Sequence, residues 1–438
     1  MYALDLQRLA GLRSTRWSGV GRNVYFLGAT SLLTDLSSEM VAAVLPFYLA
    51  FALRLTPTQL GLVDGLYQGS AALTRLVGGW LADRWRRDRE VAAAGYALSA
   101  ACKLGLLGAG ASWGPIAGVV ALDRLGKGLR TTPRDALISL SCAPERLGLA
   151  FGVHRAFDTA GALAGPLLAF ALLAWLPGAY DVVFVASFGI AVVGVAVLLL
   201  FVRNRRAPTA AGDPAAAPDA ARAGDLRGAA PPAWADLAAL LREPRFRAVA
   251  VAGSALALLT VADSFFYLTL QRRTALEPHL FPLLYAGTAL AWLLLAVPAG
   301  RLADRIGRGP VFLLGHGLLL AACACLLAAP AGPLGTLGPL GLLGAYYACT
   351  DGVLMAFASA LVPERLRATG LAVLATAIGL SRLLASLAFG AAWDRFGIDA
   401  ALVGFAVALA LALPLTARTW LRAGAARAAA ATPPGSPA

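Results

Sequence analysis

The chain has 438 residues, of which 59% are hydrophobic and only 14% charged, and its mean hydropathy is +0.72. A soluble enzyme or binding protein of this length carries far more charge, so the composition excludes one and calls for a polytopic membrane protein. The formal net charge of +13 lies in short loops between apolar runs rather than on one folded face, which excludes a nucleic-acid partner and reads as positive-inside topology.

The five cysteines, Cys102, Cys142, Cys323, Cys325 and Cys349, fall mostly within apolar runs and show no disulfide spacing. Cys323 and Cys325 are two apart, so on a helix they point to different faces; no metal and no cofactor is expected.

Residues 1–22 form a cytoplasmic arm with Arg8, Arg13, Arg16 and Arg22. The first apolar run, about Asn23 to Leu53, is too long for a cleaved signal and reads as a retained helix. Asp35 and Glu39 lie one turn apart on one face near its middle, where a lone carboxylate is costly. The second helix, about Thr56 to Ala82, places Gly61, Gly65 and Gly69 at a spacing that allows close packing, beside a polar face of Asp64, Gln68 and Arg75. After the arginine-rich loop Asp83 to Arg89, a third helix from about Val91 to Ala111 carries Lys103, for which Asp64 is a candidate partner.

The fourth apolar run, Pro115 to Leu122, continues into A-L-D-R-L-G-K-G-L-R-T-T-P-R-D, Ala121 to Asp135. Spacings of three, three and four put Arg124, Lys127, Arg130 and Arg134 on one helical face. Facing lipid, that stripe would cost on the order of 10 kcal/mol, so it must face water or carboxylates. A fifth helix, about Leu149 to Leu176, carries His154, Arg155 and Asp158 in its first half, and a sixth runs from about Val182 to Val202.

Residues 203–247, rich in Ala, Pro, Asp and Arg, form a cytoplasmic linker with one short amphipathic stretch at Trp234 to Leu241. Six further apolar segments follow, at about Ala248–Gln271, Phe281–Ala303, Pro310–Ala329, Leu337–Val362, Ala368–Trp393 and Ala400–Leu421, and the tail 422–438 reads as disordered. On this layout the inside loops hold roughly five times as many Lys and Arg as the outside ones, with both termini inside.

The two halves repeat each other: Gly79-Trp-Leu-Ala-Asp83-Arg84 follows the second helix and Gly300-Arg-Leu-Ala-Asp304-Arg305 the eighth, and Pro144-Glu-Arg and Pro363-Glu-Arg recur at a similar offset. A duplicated six-helix unit joined by a cytoplasmic linker is a transporter architecture. Gly300 to Arg308, G-R-L-A-D-R-I-G-R, resembles throughout the loop signature G-x-L-A-D-R-x-G-R of the major facilitator superfamily. The first-half copy departs from it, with Arg86 where that family has Gly. Arg124-L-G-K-Gly128 is similar to the family's helix-four pattern R-x-x-x-G, whose Arg is associated with proton transfer. Gly152, Gly161 and Gly165-Pro166 resemble the helix-five signature of its antiporters, with Ala169-Phe170 in place of the closing Gly-Gly.

The resemblance implies an all-α membrane protein of about twelve transmembrane helices in two pseudo-symmetric six-helix bundles around a central cavity. It implies a monomer in a bacterial plasma membrane that exports a small organic solute in exchange for protons by alternating access. Proton-coupled uptake is the alternative, and a non-transporting sensor or an intramembrane enzyme fits less well. Candidate coupling residues are Asp35, Glu39, Arg124, Asp263 and Asp351. The expected cavity adds Tyr67, Gln68, Lys127, Tyr267, Tyr347 and Arg382, with Tyr285 and Trp292 as further aromatic candidates. Asp83, Arg84, Arg130, Arg134, Arg155, Asp158, Asp304, Arg305 and Arg308 are expected to form a cytoplasmic gate and switch. Gly161, Gly165 and Pro166 are expected to form a bend in the fifth helix.

Overall fold

The computed structural model describes residues 21–70, 87–110, 112–142, 146–204, 240–363 and 366–431. Arg75, Gly79, Asp83, Arg84, Pro144, Glu145 and linker residues 205–239 therefore lie outside the described residues. The described chain is helical: α1 Arg22–Phe47, α2 57–70, α3 Asp88–Gly108, α4 Trp113–Ser139, α5 Leu147–Trp175 and α6 Tyr180–Phe201 in the first part. The second part has α7 Pro244–Leu258, α8 Asp263–Thr274, α9 Phe281–Ile306, α10 Arg308–Leu327, α11 Leu337–Thr350, α12 Val353–Ser359, α13 Arg367–Phe396 and α14 Ile398–Ala431. Among the described residues ten helical segments are long and apolar enough to cross a membrane. The cation-rich α4 is not among those ten, yet it packs on α3 and touches α1 and α5.

Three features differ from the sequence expectation. The segment expected to be helical from Ala248 to Gln271 breaks between Leu258 and Asp263, where Thr260 and Val261 form a β-branched pair of low helix propensity. Asp263 thereby becomes the first residue of α8, where a carboxylate suits the positive end of a helix. The segment expected from Leu337 to Val362 breaks at Asp351-Gly352, with Gly352 at φ 80°, a left-handed conformation that glycine adopts without strain. The last helix runs to Ala431, into the stretch expected to be a disordered tail. In α1, Pro46 withholds a backbone donor and the helix loosens directly afterwards into a π turn, Tyr48–Ala52.

Within α1–α6, α1 packs on α5 and α6, and α3 on α4 and α6; within α7–α14, α11 packs on α9 and α10, and α13 on α7 and α14. Several contacts join the parts, among them α5 with α9, α1 with α8 and α9, and α2 with α13. Along the last, a side chain at Gly61 would overlap the Ser386 carbonyl, one at Gly65 would sit 2.9 Å from the Leu383 carbonyl oxygen, and one at Gly69 would sit 3.1 Å from that of Gly379. The glycine stripe thus lets α2 touch α13 backbone to backbone. Gly161 and Gly165 do the same for α5, but against Leu32, Leu36 and Glu39 of α1, in their own part of the chain. Helix α5 continues through Pro166 to Trp175.

One end of this seam is capped by aromatic contacts. Phe47 lies 5.2 Å from Phe281 and Phe170 6.1 Å from His279, ring centre to ring centre, and the Arg272 guanidinium stands 5.5 Å from the Phe51 ring and 5.1 Å from that of Trp393. There Asp394 accepts from the Thr58 amide at 2.8 Å and from its hydroxyl.

Candidate transport site

Behind that seal lies a cavity of about 410 Å³. Glu39 of α1, Asp64, Tyr67 and Gln68 of α2 and Arg124 and Lys127 of α4 form one wall. The other is built from Asp263, Ser264, Tyr285, Tyr347, Asp351 and Arg382. The helix breaks matter here: each frees backbone beside a cavity carboxylate, Asp263 at the start of α8 and Asp351 at the end of α11.

Arg124 is 4% exposed and held on two sides. Its Nε donates to Asp123 at 3.0 Å, its Nη2 binds the same carboxylate, and its guanidinium lies 3.9 Å from the Tyr67 ring centre. Asp123 also binds Lys103 at 3.3 Å and accepts from the Ser99 hydroxyl. The expected Lys103–Asp64 pair is therefore absent. Lys103 has a nearer acid on the neighbouring α4, and Asp64 instead accepts from Ser264 at 2.5 Å and Ser386 at 2.8 Å, both from α7–α14. Asp263 accepts from the Tyr347 hydroxyl at 2.6 Å.

Asp35 does not line the cavity. It pairs with Arg130 at 3.5 Å, in a layer where Arg130 also covers Tyr96 at 4.5 Å. In the same layer Arg134 binds Asp135 at 3.0 Å and Ser31 at 3.3 Å, and His154 contacts Ser31 at 3.2 Å and Asp158 at 3.3 Å. These contacts join α1, α4 and α5 to one another. Arg155, Asp304 and Arg305 are exposed, and Arg308 donates to the Ala356 carbonyl at 2.6 Å, tying α10 to α12. Tyr267 does not reach the cavity. It is 1% exposed and stacks behind Tyr285 with ring centres 4.4 Å apart, because α8 turns its aromatic face into the core. Trp292 is likewise a packing residue beside the core.

Three site features escaped the sequence reading. Asp123 stands directly before Arg124, and a carboxylate next to a buried cation is a signal of pairing. Asp64 was read as part of the polar face beside the glycine stripe of α2, but its partners across the seam were not, although a polar face next to a packing stripe borders whatever α2 packs against. Ser264 and Ser386 carried no signal, since their role depends on a neighbour 200 or more residues away. Among the described residues no group of three His, Cys, Asp or Glu is placed to hold a metal ion.

A multi-pass helical bundle with a charged central cavity defines the class, a membrane transporter. A sequence profile of the Major Facilitator Superfamily matches residues 27–386 and 264–435. An uncharacterised MFS-type transporter of Methanocaldococcus jannaschii is 30% identical over 379 residues, 85% of this chain and 89% of its own. An uncharacterised protein of Mycobacterium tuberculosis is 36% identical over 190 residues, 43% of this chain and 45% of its own. Among solved structures, a peptide transporter POT in complex with sulfate superposes with a TM-score of 0.71 at 17% identity, covering 96% of this chain and 98% of its own. The nucleoside transporter NupG gives 0.69 at 15% identity, covering 91% and 99%. The chain belongs to the major facilitator superfamily, and it is a transporter rather than an enzyme.

Proposed function

We propose that this transporter exports a small polar organic solute in exchange for protons, by rocking two pseudo-symmetric six-helix halves about the central cavity. Twelve spans follow if the ten apolar segments are joined by α4 and by the second apolar run, in which α2 lies, with α7–α8 and α11–α12 each counted once as broken spans. Reciprocal pairing supports the pseudo-symmetry. The second helix of one half (α2) meets the fifth of the other (α13), and the fifth of the first (α5) meets the second of the other (α9).

The observation that carries the reading is where the two halves touch. The contacts Thr58–Asp394, Phe47–Phe281 and Phe170–His279 lie between the cavity and one end, and Asp64 meets Ser264 and Ser386 at the cavity wall itself. That end carries the loops poor in Lys and Arg, so with positive-inside topology and both termini in the cytoplasm the cavity faces inward. Of the carboxylates lining it, Glu39, Asp263 and Asp351 serve as proton carriers, Asp64 being held by two serines of the other part, with Arg124 a fixed positive field beside them. Asp35, tied to Arg130 outside the cavity, belongs with the supporting layer.

Uptake is the second reading, favoured by one observation: Gly161 and Gly165, on which export rests, pack against α1 inside their own half rather than at the moving seam. The test is a solute screen in everted membrane vesicles from bacteria expressing the protein, following internal pH. An exported solute makes protons leave as it enters the vesicle. Glu39→Gln and Asp263→Asn should each abolish that movement with the protein still folded; unchanged proton movement in both removes the coupling mechanism.

A further inference from the structure

The cavity charges divide into those already satisfied and those left over. Arg124 is taken by Asp123 and Tyr67, Asp64 by two serines, and Asp263 by Tyr347. Among the described residues, Glu39, Lys127, Asp351 and Arg382 line the same cavity with no ion pair within 4.0 Å and no side-chain hydrogen bond. They come one of each sign per half: Glu39 with Lys127 on one wall, Asp351 with Arg382 on the other. Within each wall the two are near enough to feel each other's field, yet too far apart to pair. A charge left without a close partner at membrane depth is expensive, and such residues mark the substrate path.

Resting on the transporter reading above, we infer that the solute is a small zwitterion, its anionic group received by Lys127 and Arg382 and its cationic group by Glu39 and Asp351. A ligand with a single charge satisfies one sign and leaves the other bare. A neutral polyol leaves both bare: Gln68 and the Tyr67 and Tyr285 hydroxyls line the cavity too, but hydrogen bonds to them do not neutralise the four charges, and the Ser264 and Tyr347 hydroxyls are already committed to Asp64 and Asp263. The cavity volume, about 410 Å³, lies toward the low end of small-molecule sites and suits a solute from amino-acid to dipeptide size. Ion pairs between walls also give the solute a means of drawing the halves together, since each of its ends touches both.

The experiment is a melting assay on the purified full chain with matched probes: alanine and dialanine, the N-acetyl derivatives that keep only the carboxylate, the amides that keep only the ammonium, and the doubly capped forms. At least one uncapped zwitterion is expected to raise the melting midpoint, and its three capped relatives are not. Lys127→Gln should weaken zwitterion binding by about tenfold or more and cancel the preference for zwitterion over amide. Asp351→Asn should cancel the preference over the N-acetyl form. The inference is overturned if a capped form stabilises as well as the zwitterion, or if no probe stabilises at all. Because the assay reads binding without proton movement, its failure is separable from that of the export reading: vesicles that move protons with a neutral solute sink the zwitterion and keep the exchanger.

Discussion

Replacing Ser264 and Ser386 together with alanine removes both hydroxyls that Asp64 receives from the opposite half. Each bond contributes ~0.5–1.5 kcal/mol if Asp64 is neutral and ~1.5–3 kcal/mol if it is ionised. In the opened seam water replaces the serines, so the loss falls on the closed arrangement alone. The double variant should therefore shift the equilibrium toward the opened seam by at least ~1–2 kcal/mol, about tenfold or more.

Spin labels at Leu176 and Phe396, exposed residues on the two halves near the closed end, read this directly in a background lacking the five cysteines. The parent should give mainly one short distance and the double variant a dominant longer one. Ser187→Ala, which removes a bond to Ser37 at 2.9 Å inside the first half, is the control and should leave the distribution alone. An unchanged distribution in both the double variant and Asp64→Ala would refute the idea that these bonds hold the seam.

Asp123→Asn leaves Arg124 and Lys103 buried beside a neutral amide, and should cost ~3–5 kcal/mol of stability in a denaturation experiment, whereas Lys103→Met, which removes one of two cations, should cost less. Gly61→Leu collides with the Ser386 backbone, so it should prop the seam open and lengthen the Leu176–Phe396 distance without lowering expression. Gly352→Ala forces a side chain into φ 80° and should cost ~1–2 kcal/mol, read as a lower melting midpoint.

The helical, membrane-spanning character of the chain was legible in the sequence because membrane spans are long apolar runs, and ten such segments are found among the described residues; the stripe from Arg124 to Arg134 was legible because helical spacing alone sets its face. The two helix breaks were not. Thr260-Val261 is a mild signal, and Asp351-Gly352, a turn dipeptide, was submerged in a hydrophobic run. The site was half legible: intramembrane charges announce themselves by composition, but their partners do not. Lys103 illustrates this, since Asp64 and Asp123 sit on the expected helices before and after its own, and only the packing of α3 on α4 brings Asp123 to it.

Which half supplies the partners separates scaffold from switch more sharply than burial does. Asp123 and Asp64 are both enclosed carboxylates, but Asp123 is bound by Lys103, Ser99 and Arg124 from its own part of the chain, and under the proposed rocking motion those bonds would persist. Asp64 is bound by the other part, so under the same proposal its bonds would exist in one arrangement only. On the proposed motion the same criterion would place Arg130, Arg134 and Asp158 in the scaffold rather than the gate, since Asp35, Asp135, Ser31 and His154 all belong to α1, α4 and α5. Arg130→Ala should therefore lower the melting midpoint, through the lost Asp35 pair and the uncovered Tyr96 ring, while leaving the Leu176–Phe396 distance distribution as in the parent. A population shift as large as that of the serine double variant would return Arg130 to the gate and break the criterion.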